Sequence, residues 1–288
     1  AVVTLGAFVA WELRSDHPML DLTVFRNARF SAASGTITIV FFALMGSLFL
    51  MTQYWQLVHG YTPLQAGVRL LPVAIMMMVA APQSARLVER FGTKRVVLAG
   101  LSLIAVGLSL VSLIEAETPY WNVITRFLIM NLGMSMTMAP ATESVMGALP
   151  REKAGIGSAI NDTTRQVGGA LGVAIIGSVV SGKWSRGIGD AAREAGLDAT
   201  STAHARESLA KALSEAGTLG DRAGQFVTDA KDTFVGAMTT GMRVSVAVVL
   251  IAAFVAWKFL PNRAVSERAA SAHDAESVSG EFAVNAGD

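Results

Sequence analysis

Residues 30–52 read Phe-Ser-Ala-Ala-Ser-Gly-Thr-Ile-Thr-Ile-Val-Phe-Phe-Ala-Leu-Met-Gly-Ser-Leu-Phe-Leu-Met-Thr, a run of 23 residues without a charge. About 20 residues of α-helix cross the roughly 30 Å hydrocarbon core of a bilayer. In lipid each backbone N–H and C=O must find its partner within the segment, so a run like this reads as a membrane-spanning helix. No long polar–apolar alternation of the kind a half-buried strand needs is present.

Similar runs follow outward from this one. Ala66 to Ala85 is apolar apart from Arg69, Gln83 and Ser84. Val96 to Ile114 is free of charge, and Trp121 to Ala141 holds only Arg126. Gln166 to Gly182 is apolar and glycine-rich, and Val244 to Leu260 ends with Lys258. The predicted fold is all-α and integral to the membrane, with six complete spans. Residues 1–11 are apolar but too short to cross. A signal-peptide core is one reading of them. With no basic stretch before them and Glu12-Leu13-Arg14 after them, they read better as the end of a truncated transmembrane helix, in a C-terminal part of a longer protein.

Composition agrees with this class. Hydrophobic residues make up 52% and charged residues 16%, against about 25% charge in a soluble domain. The mean hydropathy is +0.48. A net charge of +1 leaves no basic footprint for nucleic acid. Cysteine is absent, which excludes disulfides and thiolate metal sites, and the four histidines are scattered and suggest no metal centre. No catalytic constellation of His, Asp and Ser and no phosphate-cradling loop appears, so neither an enzyme nor a cofactor is expected.

Lys and Arg in short loops set the orientation. Arg14, Arg26 and Arg29, then Arg86, Arg90, Lys94 and Arg95, then Arg151, Lys153 and Arg165 fall on alternate connections. The intervening loops 53–65 and 115–120 hold none. The basic side is expected to be cytoplasmic. The expected organisation is the end of a truncated helix at 1–12, a cytoplasmic linker at 13–29 and five spans with short loops over 30–182. A long extracytoplasmic loop at 183–242, the last span at 243–260 and a disordered cytoplasmic tail at 261–288 complete it. The 183–242 connection carries seven basic and eight acidic residues and reads as a solvated, partly ordered loop, with a short helix possible over 203–216.

Several features within the spans carry functional candidates. Gly168 and Gly172 form a GxxxG that lets helix backbones approach, for static packing or for helices that rock on one another. Pro72, Pro82 and Pro140 each remove a helix hydrogen bond. Met130, Met134 and Met138 stack at four-residue spacing, either as packing or, with Asn131, as the lining of an adaptable apolar cavity. Gln53-Tyr54-Trp55-Gln56 reads either as an interfacial aromatic belt or as a place where Gln53 meets a substrate. Arg69 and Arg126 are near enough to span ends to snorkel outward. Glu143, Asp162 and Arg165 sit at helix ends. Asp162 and Arg165 are spaced to pair, and a carboxylate there is also a candidate proton carrier.

The segment Ala85-Arg-Leu-Val-Glu-Arg-Phe-Gly-Thr-Lys94 resembles the loop signature G-x-L-a-D-R-x-G-R-K of the major facilitator superfamily. Leu87, Arg90, Gly92 and Lys94 match, while Ala85, Glu89 and Thr93 depart, as suits the usually degenerate second copy of that motif. Trp11-Glu12 with Pro18 to Arg26, Gln53 to Gln56, Gly60 to Gly67 with Leu71-Pro72, and Asn161 to Ala174 are similar to the fourteen-helix drug:proton antiporters of that superfamily. The resemblance implies that the six spans are the C-terminal bundle of such a fold, in a bacterial inner membrane, with the C-terminus cytoplasmic. It implies proton-coupled export of lipophilic, often cationic drugs by alternating access, with the N-terminal bundle of the same protein as structural partner. It implies a gating loop at Arg86, Glu89, Arg90, Gly92 and Lys94, acting through charge contacts between helix ends. Export of one native metabolite or antibiotic in the same fold, or a non-transporting sensor or assembly protein, remains the alternative.

The charge pattern yields a direct test. Single cysteines placed at residues 93 and 118 of this cysteine-free chain should react with an impermeant maleimide from opposite sides of the membrane. Labelling of both from one side refutes the orientation.

Overall fold

The computed structural model describes residues 2–12, 14, 22–149 and 154–260. Helix α1 covers Val2–Glu12, and a 3₁₀ turn, Leu22–Arg26, leads to α2 at Ala28–Gln53. The bundle continues with α3 at Pro63–Phe91, α4 at Thr93–Val111, α5 at Tyr120–Met146 and α6 at Ala154–Ala195. Two short helices, α7 at Ala199–Glu207 and α8 at Leu209–Glu215, precede α9 at Ala223–Phe259. Among the described residues there is no strand. Residues 13 and 15–21 of the linker, Arg151 and Lys153, and the 261–288 tail lie outside the described residues.

Helix starts are written locally. Asn27 caps α2, its Oδ1 accepting the Arg29 amide at 3.0 Å. Thr62 and Gln65 cap each other's backbone amides at the start of α3, with Pro63 in the first turn, where its missing N–H costs nothing. The Gly60-Tyr-Thr-Pro-Leu-Gln segment is thus a helix-start signal. Pro72 and Pro82 lie inside α3. Pro140, near the end of the expected fourth span, does not stop α5, which runs on to Met146.

Among the described residues, five helical segments, carrying α2, α3, α4, α6 and α9, are long and apolar enough to cross a membrane. The sixth long helix, α5, has 27 residues and is more polar. Four of its buried polar side chains bond within the helix. Asn131 donates to the Phe127 carbonyl at 2.9 Å, Ser135 to Asn131 at 3.1 Å, Thr137 to Gly133 at 2.8 Å and Ser144 to Pro140 at 2.8 Å. Each bond reaches one turn back, so the helix buries these groups without help from neighbours.

Glycines decide how the helices meet. On α6, a Cβ at Gly168 would overlap the Thr38 carbonyl and one at Gly172 the Phe42 carbonyl, so α2 and α6 touch backbone to backbone. Between α4 and α5, a Cβ at Gly107 would lie 2.6 Å from Met130 Cβ, and one at Gly133 2.7 Å from the Ile104 amide. Helix α9 packs against α2, α4 and α6, while α5 packs against α2, α3 and α4. Helix α3 lies at an edge and leaves Leu64, Val68, Leu71, Ile75 and Met78 exposed at alternating four- and three-residue spacing.

The 183–242 segment differs from the solvated loop expected of it. Helix α6 continues to Ala195 and α9 starts at Ala223, with α7 and α8 packed between them. At about 1.5 Å per residue, the 42-residue α6 and the 37-residue α9 are much longer than the hydrocarbon core. Their extensions are amphipathic. Val180, Trp184, Ile188 and Ala192 are buried at four-residue spacing, facing Phe226, Ala230 and Phe234 of α9. The many charges on the opposite faces hide this periodicity from a count of composition. The result is a helical cap on one end of the bundle.

Backbone contact between α2 and α6 makes Gly172→Ala costly. We expect a loss of about 1–3 kcal/mol, read as a lower Tm in detergent. Gly155→Ala, where a Cβ meets nothing within 4 Å, should be neutral or slightly stabilising. Equal Tm values for the two variants contradict the packing.

Candidate functional site

Two ends and one groove hold the polar chemistry of the bundle. At the loop end, α3 stops at Gly92, whose φ of 82° and ψ of 152° belong to backbone that essentially only glycine adopts. Helix α4 starts at the next residue, so this one residue reverses the chain. Arg86, Glu89 and Arg90 are exposed and Lys94 half-buried. Among the described residues, none of these four forms an ion pair, and the Arg90 guanidinium lies 5.3 Å from the Phe91 ring. The expected charge contacts between helix ends are therefore not seen among the described residues.

At the cap end, Tyr54 and Trp55 are fully buried rather than part of an interfacial belt. The chain there widens into one turn of π-helix, Tyr54–Val58, and Trp55 contacts the rings of Tyr54, His59, Tyr61 and Tyr120. Tyr54 donates to the Glu115 carbonyl at 3.0 Å and Tyr120 to the Arg69 carbonyl at 2.9 Å. Arg69 lies 3.7 Å over the Tyr61 ring, and Arg126 donates to the Leu110 carbonyl at 3.2 Å. Both arginines thus tie helix ends together. Burial and the charges of Lys231 and Arg69 hold the His59 imidazole below its usual range.

Met130, Asn131 and Met134 are buried, Met130 meets α4 at Gly107, and none of the three lines the cleft or the cavity between α2 and α6. Gln53, in contrast, lines a cavity between α2, α6 and the cap. Glu143 is exposed on α5.

The groove between α2 and α6 brings the remaining candidates together. Asp162, Arg165 and Gln166 share with Phe41, Met45 and Gly169 a cleft of about 530 Å³. Asp162 and Arg165 do not pair. The arginine turns toward α5, where it donates to Thr142 Oγ1 at 3.1 Å, and its guanidinium lies 5.5 Å from the Phe41 ring. Asp162 is exposed at the cleft with no ion-pair partner among the described residues. Asn161 was not a candidate in the sequence. It is buried, and its Oδ1, like Arg165 Nε one turn away, has no hydrogen-bond partner among the described residues. An unmatched buried acceptor and donor one turn apart make a polar spot on α6 beside the groove, which Arg165 lines and Asn161 does not. Only their burial shows it, and the sequence carried no signal for that. No group of three or more His, Cys, Asp or Glu able to hold a metal occurs among the described residues.

Comparison with known proteins agrees with this architecture. The sequence profile described as Major Facilitator Superfamily matches residues 2–173. The chain is 33% identical over 261 residues to the tetracenomycin C resistance and export protein of Streptomyces glaucescens, covering 89% of this chain and 48% of that one. It is 28% identical over 254 residues to the methyl viologen resistance protein SmvA of Salmonella typhimurium, covering 88% of this chain and 51% of that one. The chain thus spans about half the length of these curated relatives. A crystal structure of a bacterial homologue of the human lysosomal transporter Spinster, inward-facing and unoccupied, matches in fold with a TM-score of 0.60 at 17% identity, over 91% of this chain and 58% of that one.

The Gly92 backbone makes a prediction about the loop end. Gly92→Ala forces an L side chain into strained backbone at about 1–3 kcal/mol. Limited trypsin cleavage after Arg90, Lys94 or Arg95 should speed up several-fold, while Gly67→Ala, with open space at its Cβ, leaves it unchanged. Equal cleavage rates remove the strain argument.

Proposed function

Since the chain belongs to the major facilitator superfamily, we propose that it is the C-terminal bundle of a bacterial plasma-membrane exporter of drug-like organic compounds. The protein is a multi-pass membrane protein with an all-helical fold. The observation that carries the reading is the α2/α6 cleft. Its roughly 530 Å³ falls within the range of about 300–1,000 Å³ usual for small-molecule sites. Phe41 and Met45 offer apolar, adaptable contact, and Asp162 offers a charge with no ion-pair partner. Organic compounds with an apolar body and a charged or polar group suit this lining, in which Asp162 stands with Arg165. The names of the relatives, export of tetracenomycin C and resistance to methyl viologen, support the same class.

In this reading the exposed apolar stripe of α3 and the Val167, Leu171 and Ile175 stripe of α6 seat a second, N-terminal bundle. The two bundles rock about the cleft to expose it to each side in turn. The free charges of Arg86, Glu89, Arg90 and Lys94 meet helix ends of that bundle and hold one of the two conformations. Protons moving inward drive export, carried mainly by acids of the N-terminal bundle. The basic loops and the C-terminus face the cytoplasm.

The test is efflux from cells that express the complete protein. Ethidium and methyl viologen should leave in a protonophore-sensitive manner. Asp162→Asn should reduce efflux of the dication methyl viologen about three- to tenfold, and more than that of the monocation ethidium. Efflux that ignores the protonophore overturns proton coupling, and an unaltered Asp162→Asn variant overturns the role of the cleft.

A further inference from the structure

The α2/α6 groove continues past the Asp162 cleft. Val173 belongs both to that cleft and to a second cavity of about 300 Å³ nearer the cap. Phe49 and Gln53 of α2 line one wall and Trp184 and Phe234 the deep side, while Glu207 and Ser208 of the cap close it. The cap is part of this site because of the corner between α7 and α8. Ser208 is extended at φ −166° and ψ 159°, and its Oγ accepts the Lys211 amide at 3.2 Å to start α8. The corner is anchored on both flanks. Trp184 Nε1 donates to the Ala205 carbonyl at 3.2 Å, and Leu209 is 2% exposed. These contacts seat the corner against α6.

The chemistry of the walls selects a ligand. Trp184 and Phe234 meet edge to face with centroids 6.3 Å apart, and Phe49 is 41% exposed beside them. Gly177 leaves α6 bare opposite Phe49, where a Cβ would come to 3.8 Å of the ring. Three aromatic side chains, Phe49, Trp184 and Phe234, around one cavity suit a flat ring system. Glu207 pairs with Lys211 across one turn, and both side chains are half-exposed. The hydrogen bond and charge of Lys211 hold the Glu207 carboxyl below the usual range, so it is ionised at neutral pH. An exposed pair of this kind is weak, and a cationic ligand can replace the lysine ammonium.

We propose that this cap-end cavity is a second binding site, for planar aromatic cations, in which Phe49 stacks on the ring and Glu207 holds the charge. Gln53 supplies a hydrogen bond at the rim. The site deepens the exporter reading and rests on it: one groove carries an anionic position at each end, Asp162 and Glu207, and the cap decides what enters or leaves at one of them.

Ethidium binding to the complete protein in lipid nanodiscs, followed by fluorescence anisotropy, tests this. Glu207→Gln should weaken one class of ethidium sites about fivefold, and the weakening should shrink in high salt. Phe49→Ala, also at an exposed position, should do the same. The Glu207→Gln effect should add to that of Asp162→Asn, since the two residues share no partner. Ethidium binding unchanged in both Glu207→Gln and Phe49→Ala, but weakened in Asp162→Asn, overturns the cap-end site and leaves the cleft standing. Weakening by Glu207→Gln alone keeps this site and overturns the role given to Asp162. No change in any of the three variants overturns both.

Discussion

Backbone contact between α2 and α6 at Gly168 and Gly172 is the contact on which the rest of the bundle depends. In lipid the hydrophobic effect does not bring helices together, because hydrocarbon tails are as apolar as leucine. Close packing and local hydrogen bonding must do it instead. Glycine removes the Cβ that keeps backbones apart, and the same device recurs at Gly100, Gly107 and Gly133 between α4 and α5. With these two contacts made, α9 packs against α2, α4 and α6, and α5 against α2 and α3.

The same glycine-rich face of α6 both packs and opens. Gly168 and Gly172 press on α2, while Gly169 and Gly177 turn toward the groove beside Met45 and Phe49. A helix with larger residues at the second pair would fill the space that now forms the Asp162 cleft and the cavity beneath the cap. Packing and open space are thus set by alternate positions of one short segment. This explains why the polar groups Asn161, Asp162 and Arg165 stand just before it, at the end of the groove.

Each end of the bundle is closed in its own way. At the cap end, Tyr54, Trp55, Tyr61 and Tyr120 bind loops through ring contacts and hydroxyl bonds to the Glu115 and Arg69 carbonyls. The helical extensions of α6 and α9 then build a platform over the groove. At the loop end, the reversal at Gly92 leaves four charged side chains without ion pairs among the described residues. One end is tied together by its own chain, with Trp55 Nε1 and His59 Nε2 left without a hydrogen-bond partner among the described residues, and the other presents charges without ion pairs there.

The sequence by itself determined that the chain is a bundle of membrane helices and where most of them begin. Backbone groups in lipid leave no other choice for a run such as 30–52, and the caps at Asn27 and Thr62 are local signals. It also marked Gly168 and Gly172 and placed Asp162 and Arg165 on one helix. Tertiary structure alone decided which faces touch. Hydropathy separates apolar from polar but not lipid from protein interior, so the methionines at 130 and 134 gave no sign that they are core rather than cavity lining. Tyr54 and Trp55 look the same in sequence whether they form a belt or a buried lock. The cap escaped a reading of composition because its apolar positions, four residues apart on α6, are diluted by the charges between them. The pairing expected of Asp162 and Arg165 gave way to Thr142 and Phe41, partners 23 and more residues away in the chain that only folding brings near.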